Sequence, residues 1–236
     1  MVQDEDAKPQ PRVGHAVVTG VASGIGHAIA MRLLADGWQV TGLDRTDIAC
    51  SHPAFNAFAI DLTNYEKLKI LLDGFENVRA VVHAAGFMRT AALGDLQPEH
   101  ALAMWQIHVG AAEVLANALL SRMTSGGRMV VIGSRTAMGA AGRSQYAATK
   151  SALTGMVRSW AAELAPCGVT VNIVAPGATA TPMLTDPQRA GTTPKLPPIG
   201  RFIEPAEIAA LTSFLLGPDA GAITGQQIIM CGGGSL

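Results

Sequence analysis

The stretch Thr19-Gly20-Val21-Ala22-Ser23-Gly24-Ile25-Gly26 decides the fold of this chain. It follows a short apolar run, Ala16-Val17-Val18, that is typical of a buried β-strand. Apolar residues at helical spacing follow it, from Ile25 to Leu34. Because glycines lack a Cβ atom, the chain can turn tightly between strand and helix and let a pyrophosphate approach its backbone. The free N–H groups of the helix N-terminus would face that phosphate; the alternative is a plain tight turn.

Short apolar runs and helical patterns alternate along the rest of the chain. Further strands are predicted at 39–43, 57–60, 80–83, 129–132, 169–174 and 227–230. Helices are predicted after a capping box at 63–66, over 98–123 and 142–164, and from Glu204-Pro205 onward. Near-continuous apolar strands indicate burial on both faces, and hence a parallel sheet with helices on each side. We therefore expect a single doubly wound α/β domain over residues 14–236.

Two segments fall outside this regular pattern. Residues 1–13 are dominated by charge and proline, which predicts a flexible N-terminal tail. The proline-rich segment from about Thr181 to Gly200 is the one long irregular stretch inside the domain, and its length is typical of a binding loop or lid. Its prolines indicate a stiff lid with little helix of its own.

The composition of the chain argues against some kinds of binding partner. The formal net charge is -1, so there is no basic excess for nucleic acid. No uninterrupted apolar run approaches the roughly 18 residues needed to span a membrane. Cys50, Cys167 and Cys231 lie far apart without metal-ligand spacing, which favours free thiols in a reducing compartment and predicts a cytoplasmic protein without a metal site.

Asp44 ends the second predicted strand, 18 residues after Gly26. A carboxylate there can accept hydrogen bonds from both hydroxyls of an adenine ribose and would repel a 2′-phosphate, which favours NAD over NADP. Arg45 follows it and could weaken that preference by pairing with a phosphate. Asp61, after the third strand, could face the adenine or could cap the helix that begins near Thr63.

Tyr146 and Lys150 are four residues apart in a predicted helix and therefore share one face. A neighbouring ammonium stabilises a phenolate, which makes the phenol a usable acid or base near neutral pH. Ser134 follows the preceding strand, and its hydroxyl could converge with the phenol on one carbonyl oxygen to polarise it for hydride attack. In isolation, a Tyr and a Lys at this spacing are most often a surface pair.

Taken together, these motifs resemble the main branch of the short-chain dehydrogenase/reductase family, from about Gly14 to Gly234. The residues that carry the resemblance are the glycine-rich turn, Asp61-Leu62, His83-Ala84-Ala85-Gly86, Ser134, Tyr146 with Lys150, Asn172, and Pro176-Gly177 with Thr181. The resemblance implies a Rossmann-type sheet of about seven strands and a homo-oligomer, a tetramer or a dimer. The ending, from Gly200-Arg201 through Pro205 and Thr224-Gly225 to Gly232-Gly233, is similar to that of the family's acyl-carrier-protein reductases and small-alcohol dehydrogenases.

The same resemblance implies roles for individual residues. Tyr146 would be the acid/base, Lys150 would bind the nicotinamide ribose and lower the pKa of that tyrosine, and Ser134 would hold the substrate oxygen. The implied cofactor contacts are Gly20, Ser23, Gly24, Ile25, Gly26, Asp44, Asp61, Leu62, Ala84, Ala85, Gly86, Tyr146, Lys150, Pro176, Gly177, Thr179 and Thr181.

The chain departs from the family pattern at two places. His83 and Ala84 stand where the family usually has two asparagines, so polar contacts that steady the central strands could be lost. In the helix before Ser134, the stretch Ile107-His108-Val109 has a histidine where the family has an asparagine that helps to hold a water near the lysine. Either His108 takes over the proton relay as a catalytic residue, or it only packs in the helix.

The leading hypothesis is therefore an enzyme that moves a hydride between NAD(H) and a small secondary alcohol or ketone. The alternative is a nucleotide-binding sensor or scaffold subunit without turnover, which the departure at His108 motivates. Arg89 and Arg143 could suit an acidic substrate, although arginines of this kind are more often at a surface or an interface.

Overall fold

The computed structural model describes residues 14–48, 50–186 and 194–236. In these ranges the chain forms seven strands: β1 (His15–Thr19), β2 (Gln39–Asp44), β3 (Phe55–Ala59), β4 (Val78–His83), β5 (Arg128–Ile132), β6 (Thr170–Pro176) and β7 (Gln227–Met230). All neighbouring strands pair in parallel, in the order β3-β2-β1-β4-β5-β6-β7. The predicted tail and part of the predicted lid lie outside the described residues.

Helices cover both faces of the sheet, which confirms the doubly wound fold. They are α1 (Gly24–Ala35), α2 (Tyr65–Asp73), α3 (Pro98–Trp105), α4 (Ala111–Leu119), α5 (Ser144–Leu164) and α6 (Pro205–Leu216). One apolar layer joins α2, α4 and α5 to the sheet, and the other joins α1 and α6 to its opposite face. The strand order reverses between β1 and β4, and ligands of such sheets bind at the carboxyl ends of the strands around this point.

The prediction that the strands are buried on both faces is confirmed for the inner strands but is wrong for the edge strands of the sheet. Every residue of β5 and β6 is buried. In the edge strand β3, only Phe55 is buried. The residues of β7 are half-buried or exposed. The helical layers pack over the centre of the sheet, so the edge strands keep contact with solvent despite their apolar residues.

The capping box predicted at 63–66 is also wrong. Helix α2 begins one residue later than such a box requires, and the side chain of Asn64 caps it by accepting a hydrogen bond from the Lys67 N–H. The Thr63 hydroxyl donates to Asp61 instead, at 2.7 Å. At the other end of the domain, α6 begins at Pro205 as predicted, with the Glu207 carboxylate accepting from the Glu204 N–H at 2.8 Å.

The predicted helix over 98–123 is interrupted by a π-helical turn, Gln106–Gly110. Two side chains from other elements donate to its carbonyl groups. The Tyr65 hydroxyl donates to the Gln106 oxygen at 3.0 Å, and the His83 Nε2 lies 3.0 Å from the Ile107 oxygen. A local helical pattern carries no sign of these partners, so the sequence alone predicted a continuous helix.

No helix in the described part of the chain is long and apolar enough to cross a bilayer.

Candidate active site

A cavity of about 620 Å³ lies at the carboxyl ends of the central strands. Every residue that the sequence analysis assigned to the cofactor or to the substrate, His108 included, lines this cavity. The glycine-rich turn and Asp44 contribute from β1 and β2, and Ser134, Tyr146 and Lys150 contribute from β5 and α5. One continuous cavity therefore joins the predicted phosphate site to the predicted proton-transfer site.

The glycine-rich turn is packed too tightly for side chains. A Cβ atom on Gly20, where φ is +74°, would lie 2.8 Å from the Ala85 nitrogen. A Cβ atom on Gly26 would collide with the carbonyl oxygen of Gly20. Gly26 therefore lets the start of α1 pack against the end of β1, Gly20 lets the turn pack against the residues after β4, and both glycines line the cavity. This is the backbone cradle that a pyrophosphate requires, so the turn fits a dinucleotide.

The two carboxylates near this turn are held by hydrogen bonds from backbone and hydroxyl groups. Asp44 accepts from the Ala22 N–H at 3.0 Å and from the Thr46 hydroxyl at 3.1 Å. Asp61 accepts from the Thr63 N–H at 2.9 Å, and this bond is the main cause that lowers its pKa. Asp61 thus stabilises the turn before α2 and lines the cavity, but it does not cap the helix, because Asn64 is the cap residue of α2.

His83 replaces the polar contacts whose loss the sequence suggested. Its Nδ1 lies 3.0 Å from the Thr19 hydroxyl, which also accepts from the Ala84 and Ala85 N–H groups at 3.1 Å. Because that hydroxyl has one hydrogen to give, it donates to Nδ1, and Nε2–H donates to the Ile107 oxygen. Burial lowers the pKa of His83 to about 3, which keeps the imidazole neutral. This network joins β1, β4 and the π turn.

His108 is fully buried beside the active-site helix. Its Nε2 accepts from the Phe87 N–H at 3.3 Å, and its Nδ1 lies 2.9 Å from the Thr149 hydroxyl. That hydroxyl donates to the Tyr146 carbonyl oxygen at 2.9 Å, so Nδ1–H is the donor to Thr149. Burial, followed by the charge of Lys150, lowers the pKa of His108 well below its usual range. Both ring nitrogens are therefore engaged by protein groups.

Ser134 and Tyr146 are both buried at the cavity wall. Ser134 follows β5 and begins a short 3₁₀ turn, Arg135–Met138, where its Oγ accepts from the Thr136 N–H at 3.1 Å. This bond uses an oxygen lone pair, so the hydroxyl hydrogen can be donated to a substrate oxygen. The Tyr146 ring packs with Met88 and Met104 and meets the His108 ring edge-on, with 5.5 Å between centroids.

Lys150 lies one turn after Tyr146 on α5, as its spacing predicts. Its Nζ donates to the Ile132 carbonyl oxygen at 2.9 Å and lies 5.9 Å from the centroid of the Tyr146 ring. Burial lowers the pKa of this lysine to about 7. The ammonium is thus held between the end of β5 and the active-site tyrosine.

Cationic side chains also reach the cavity. Arg143 lines it as one of the sequence alternatives anticipated, and so do Arg135 and Lys195, which the sequence analysis missed. The only signal for Arg135 was its position directly after Ser134. Arg89 stacks on the Phe87 ring at 4.8 Å and lies 4.0 Å from the Asp186 carboxylate.

Comparison with known proteins decides the family. The family model described as Enoyl-(Acyl carrier protein) reductase matches residues 20–235. The chain is 35% identical to the 3-oxoacyl-(acyl-carrier-protein) reductase FabG of Vibrio cholerae, over 92% of this chain and 96% of that protein. The chain belongs to the short-chain dehydrogenase/reductase family. As a member, it is an oxidoreductase that uses a nicotinamide cofactor and acts on a small molecule.

Other relatives place this oxidoreductase within a varied family. It is 32% identical to a hydroxy(phenyl)methylsuccinyl-CoA dehydrogenase subunit, BbsD, of Thauera aromatica, over 94% of this chain and 96% of that one. Among solved structures, a short-chain dehydrogenase/reductase of Serratia marcescens matches with a TM-score of 0.82 and 29% identity, over 96% of this chain and all of that one. A blue fluorescent protein from a metagenomic library, solved with NADPH, matches with a TM-score of 0.84 and 30% identity, over 96% and 100% of the two chains.

Proposed function

We propose that this enzyme transfers a hydride between NAD(H) and a secondary alcohol or ketone, with Tyr146 as the acid/base. The observation that carries the proposal is the convergence of Ser134, Tyr146 and Lys150 on one cavity with the glycine-rich turn. A dinucleotide whose pyrophosphate lies on that turn can extend along the cavity towards the two hydroxyl groups. The proposed function therefore depends both on the glycine-rich turn, which would bind the cofactor, and on the hydroxyl groups that would bind the substrate oxygen.

Ser134, Tyr146 and Lys150 are proposed to have different roles in the transfer of the proton. In the reductive direction, Ser134 and Tyr146 donate hydrogen bonds to the substrate carbonyl oxygen, which makes its carbon more electrophilic. A bound reduced nicotinamide supplies the hydride. Tyr146 gives its proton to the oxygen as the alcohol forms, and the charge of Lys150 stabilises the resulting phenolate. Alcohol oxidation uses the same groups in reverse.

The remaining cavity residues are proposed to hold the cofactor. Four residues at the end of β6 and just after it would surround the nicotinamide, since they line the cavity: Pro176, Gly177, Thr179 and Thr181. Thr181 also lies close to the glycine-rich turn, because a Cβ atom on Gly24 would be 3.3 Å from its side chain. The lid therefore begins where the phosphates are expected.

At the other end of the cavity, the adenosine would contact residues that follow β3 and β4. These are Asp61, Leu62, Ala84, Ala85 and Gly86.

The preference for NAD over NADP rests on Asp44. Its carboxylate lines the cavity at the end of β2, where it would accept bonds from the ribose hydroxyls and repel a 2′-phosphate. Arg45 and Thr46 also line the cavity, and the structure of one relative was solved with NADPH. Comparing the dissociation constants of NADH and NADPH for the wild type and for Asp44→Ala tests the assignment. We expect NADH to bind more tightly to the wild type and the ratio to fall in the variant.

The substrate is proposed to be a 3-oxoacyl thioester or a related ketone, because FabG relatives are named for 3-oxoacyl-carrier-protein reduction.

A homo-oligomer is proposed from the family resemblance and from exposed apolar side chains on helix α3. Leu102 and Trp105 of α3 are 59% and 47% exposed. Light scattering of the purified protein distinguishes a monomer from a dimer or a tetramer. A cytoplasmic location stays a prediction from the cysteines.

The first experiment is a fluorescence titration with NADH and NADPH, followed by a ketone panel monitored by loss of nicotinamide absorbance. We expect turnover, and we expect Tyr146→Phe to lower kcat by at least about 100-fold with little change in cofactor affinity. Tight cofactor binding without turnover across the panel would support the sensor or scaffold alternative instead.

A further inference from the structure

The cavity that contains the Ser134 and Tyr146 hydroxyl groups is lined by several cationic side chains. Arg135 and Arg143 both line the cavity and both are partly buried. Among the described lining residues, the acidic ones are Asp44 and Asp61, which follow β2 and β3 at the predicted adenosine end. Arg45 accompanies the carboxylates at that end, whereas none of the described lining residues near Ser134 and Tyr146 in the sequence is acidic.

Each arginine is placed by a residue of the proposed catalytic set. Arg135 directly follows Ser134 and opens the 3₁₀ turn. Arg143 is the N-cap residue of α5, three positions before Tyr146 in the sequence. Both arginines thus belong to the same cavity lining as the two hydroxyl groups.

The described part of the predicted lid adds one charged residue, Lys195, to the cavity lining. Between residues 182 and 200 the sequence contains one acidic residue, Asp186, and two basic residues, Arg189 and Lys195. Asp186 lies 4.0 Å from Arg89, and Lys195 lines the cavity.

Partly buried cations gain most from a bound anion. A guanidinium presents a planar fork of donors that matches a carboxylate or a phosphate oxygen pair, and bonds between charged groups are the stronger ones. The low dielectric of a closed cavity strengthens such pairing, and a cleft of one sign raises the local concentration of oppositely charged substrate.

We propose that the substrate carries an anionic group, a carboxylate or a phosphate-type group, close to its reacting carbonyl, and that Arg135 and Arg143 bind this group. The inference rests on the proposed hydride transfer, and among the ketones proposed above it favours one with an anionic group over a 3-oxoacyl thioester, which has no charged group beside its keto carbon. It makes the two arginines specificity-determining residues, distinct from the proton-transfer residues.

Matched substrate pairs test the proposal. The probes are acetoacetate against ethyl acetoacetate, levulinate against methyl levulinate, and acetonylphosphonate as the phosphate-type arm, at low ionic strength with saturating cofactor. We expect the wild type to favour the anion in kcat/KM by about tenfold or more, and Arg135→Gln and Arg143→Gln each to lower that ratio by about tenfold. Arg143→Lys should keep most of the preference because it keeps the charge.

The matched control is Arg32→Gln, a charge removal on α1. Arg32 is paired with Asp36 there and lies outside the cavity lining. This variant should keep both the wild-type ratio and the wild-type cofactor affinity. A larger effect of the arginine variants on acetonylphosphonate than on acetoacetate would identify the anion as phosphate-type, and the opposite order would identify it as a carboxylate.

Calorimetry on the cofactor-loaded enzyme separates this proposal from the proposed function. If no ketone is turned over but anions bind more tightly than esters, and both arginine variants remove the difference, the anion site stands and the hydride-transfer proposal fails. If esters are used and bound as well as acids in every pair, or if neither variant changes the ratio, the anion site is overturned.

Discussion

The Nδ1 of His108 lies 2.9 Å from the Oγ1 of Thr149, and this hydroxyl in turn donates to the carbonyl oxygen of Tyr146. A chain of hydrogen bonds therefore runs from the Phe87 N–H through the imidazole to the helix that carries the proposed acid/base. The bonds fix one neutral tautomer of the histidine. They favour a positioning role for His108 over a proton relay, since a relay needs a ring nitrogen that can exchange its proton with solvent or substrate.

The first prediction concerns His108→Asn. A positioning role predicts that the shape of the kcat–pH profile is retained, because no titrating group is removed from the reaction. We expect the variant to lose about 1–3 kcal/mol of unfolding free energy, since buried partners are left unsatisfied. The measurements are a pH–rate profile and urea unfolding. A displaced limb of the profile at unchanged stability would assign the relay to this histidine.

The second prediction is loss of stability in mild acid. The folded state keeps His83 and His108 neutral, because their pKa values are lowered, whereas the unfolded chain takes up a proton near pH 6.5. The unfolding free energy should therefore fall as the pH drops below 6.5, by about 1.4 kcal/mol per pH unit for each histidine. Urea unfolding at pH 6.5 and 5 should show a shallower decline for His83→Gln. An equal decline in the variant would contradict the buried neutral state.

The third prediction concerns Lys150→Met. The lysine has a pKa of about 7 in the folded state and about 10.5 when unfolded, so burial of its charge costs stability below pH 7. That cost declines as the pH rises from 7 towards 10.5, by about 1.4 kcal/mol per pH unit. Without cofactor, we expect the variant to gain stability over the wild type at pH 7 and to lose this advantage by pH 10. A difference that does not vary with pH would show that the lysine is protonated throughout.

The fourth prediction concerns Gly86→Ala. A Cβ atom at this position would lie 2.6 Å from the Nε2 of His108, so the substitution overpacks the wall of the cavity. We expect a loss of about 1–3 kcal/mol of unfolding free energy. In the double variant with His108→Asn, the shorter side chain relieves the clash and the two losses should not add. Additive losses would mean that the two positions do not contact each other.

Local patterns were enough for most of the architecture. The glycine-rich turn, the apolar inner strands and the spacing of Tyr146 and Lys150 each depend on residues close together in the chain, so the sequence predicted the doubly wound sheet and the residues around its cavity. Helix α5 was expected from about Gly142 and begins at Ser144. Strand β3 was expected at 57–60 and begins at Phe55, because its pairing with β2 sets its limits.

The sequence by itself determined which chemistry the site can hold, because the types and spacings of Ser134, Tyr146, Lys150 and the glycines are local. Only the tertiary structure decided which contacts His83 and His108 make, the two histidines at which the chain departs from the family pattern. His83 bonds to Thr19, 64 residues away, and to the Ile107 carbonyl oxygen in the π turn, where the neighbouring His108 bonds to Thr149. The tertiary structure also decided that Arg135 and Arg143 line the same cavity. Such contacts join residues far apart in the chain, and local periodicity carries no record of them.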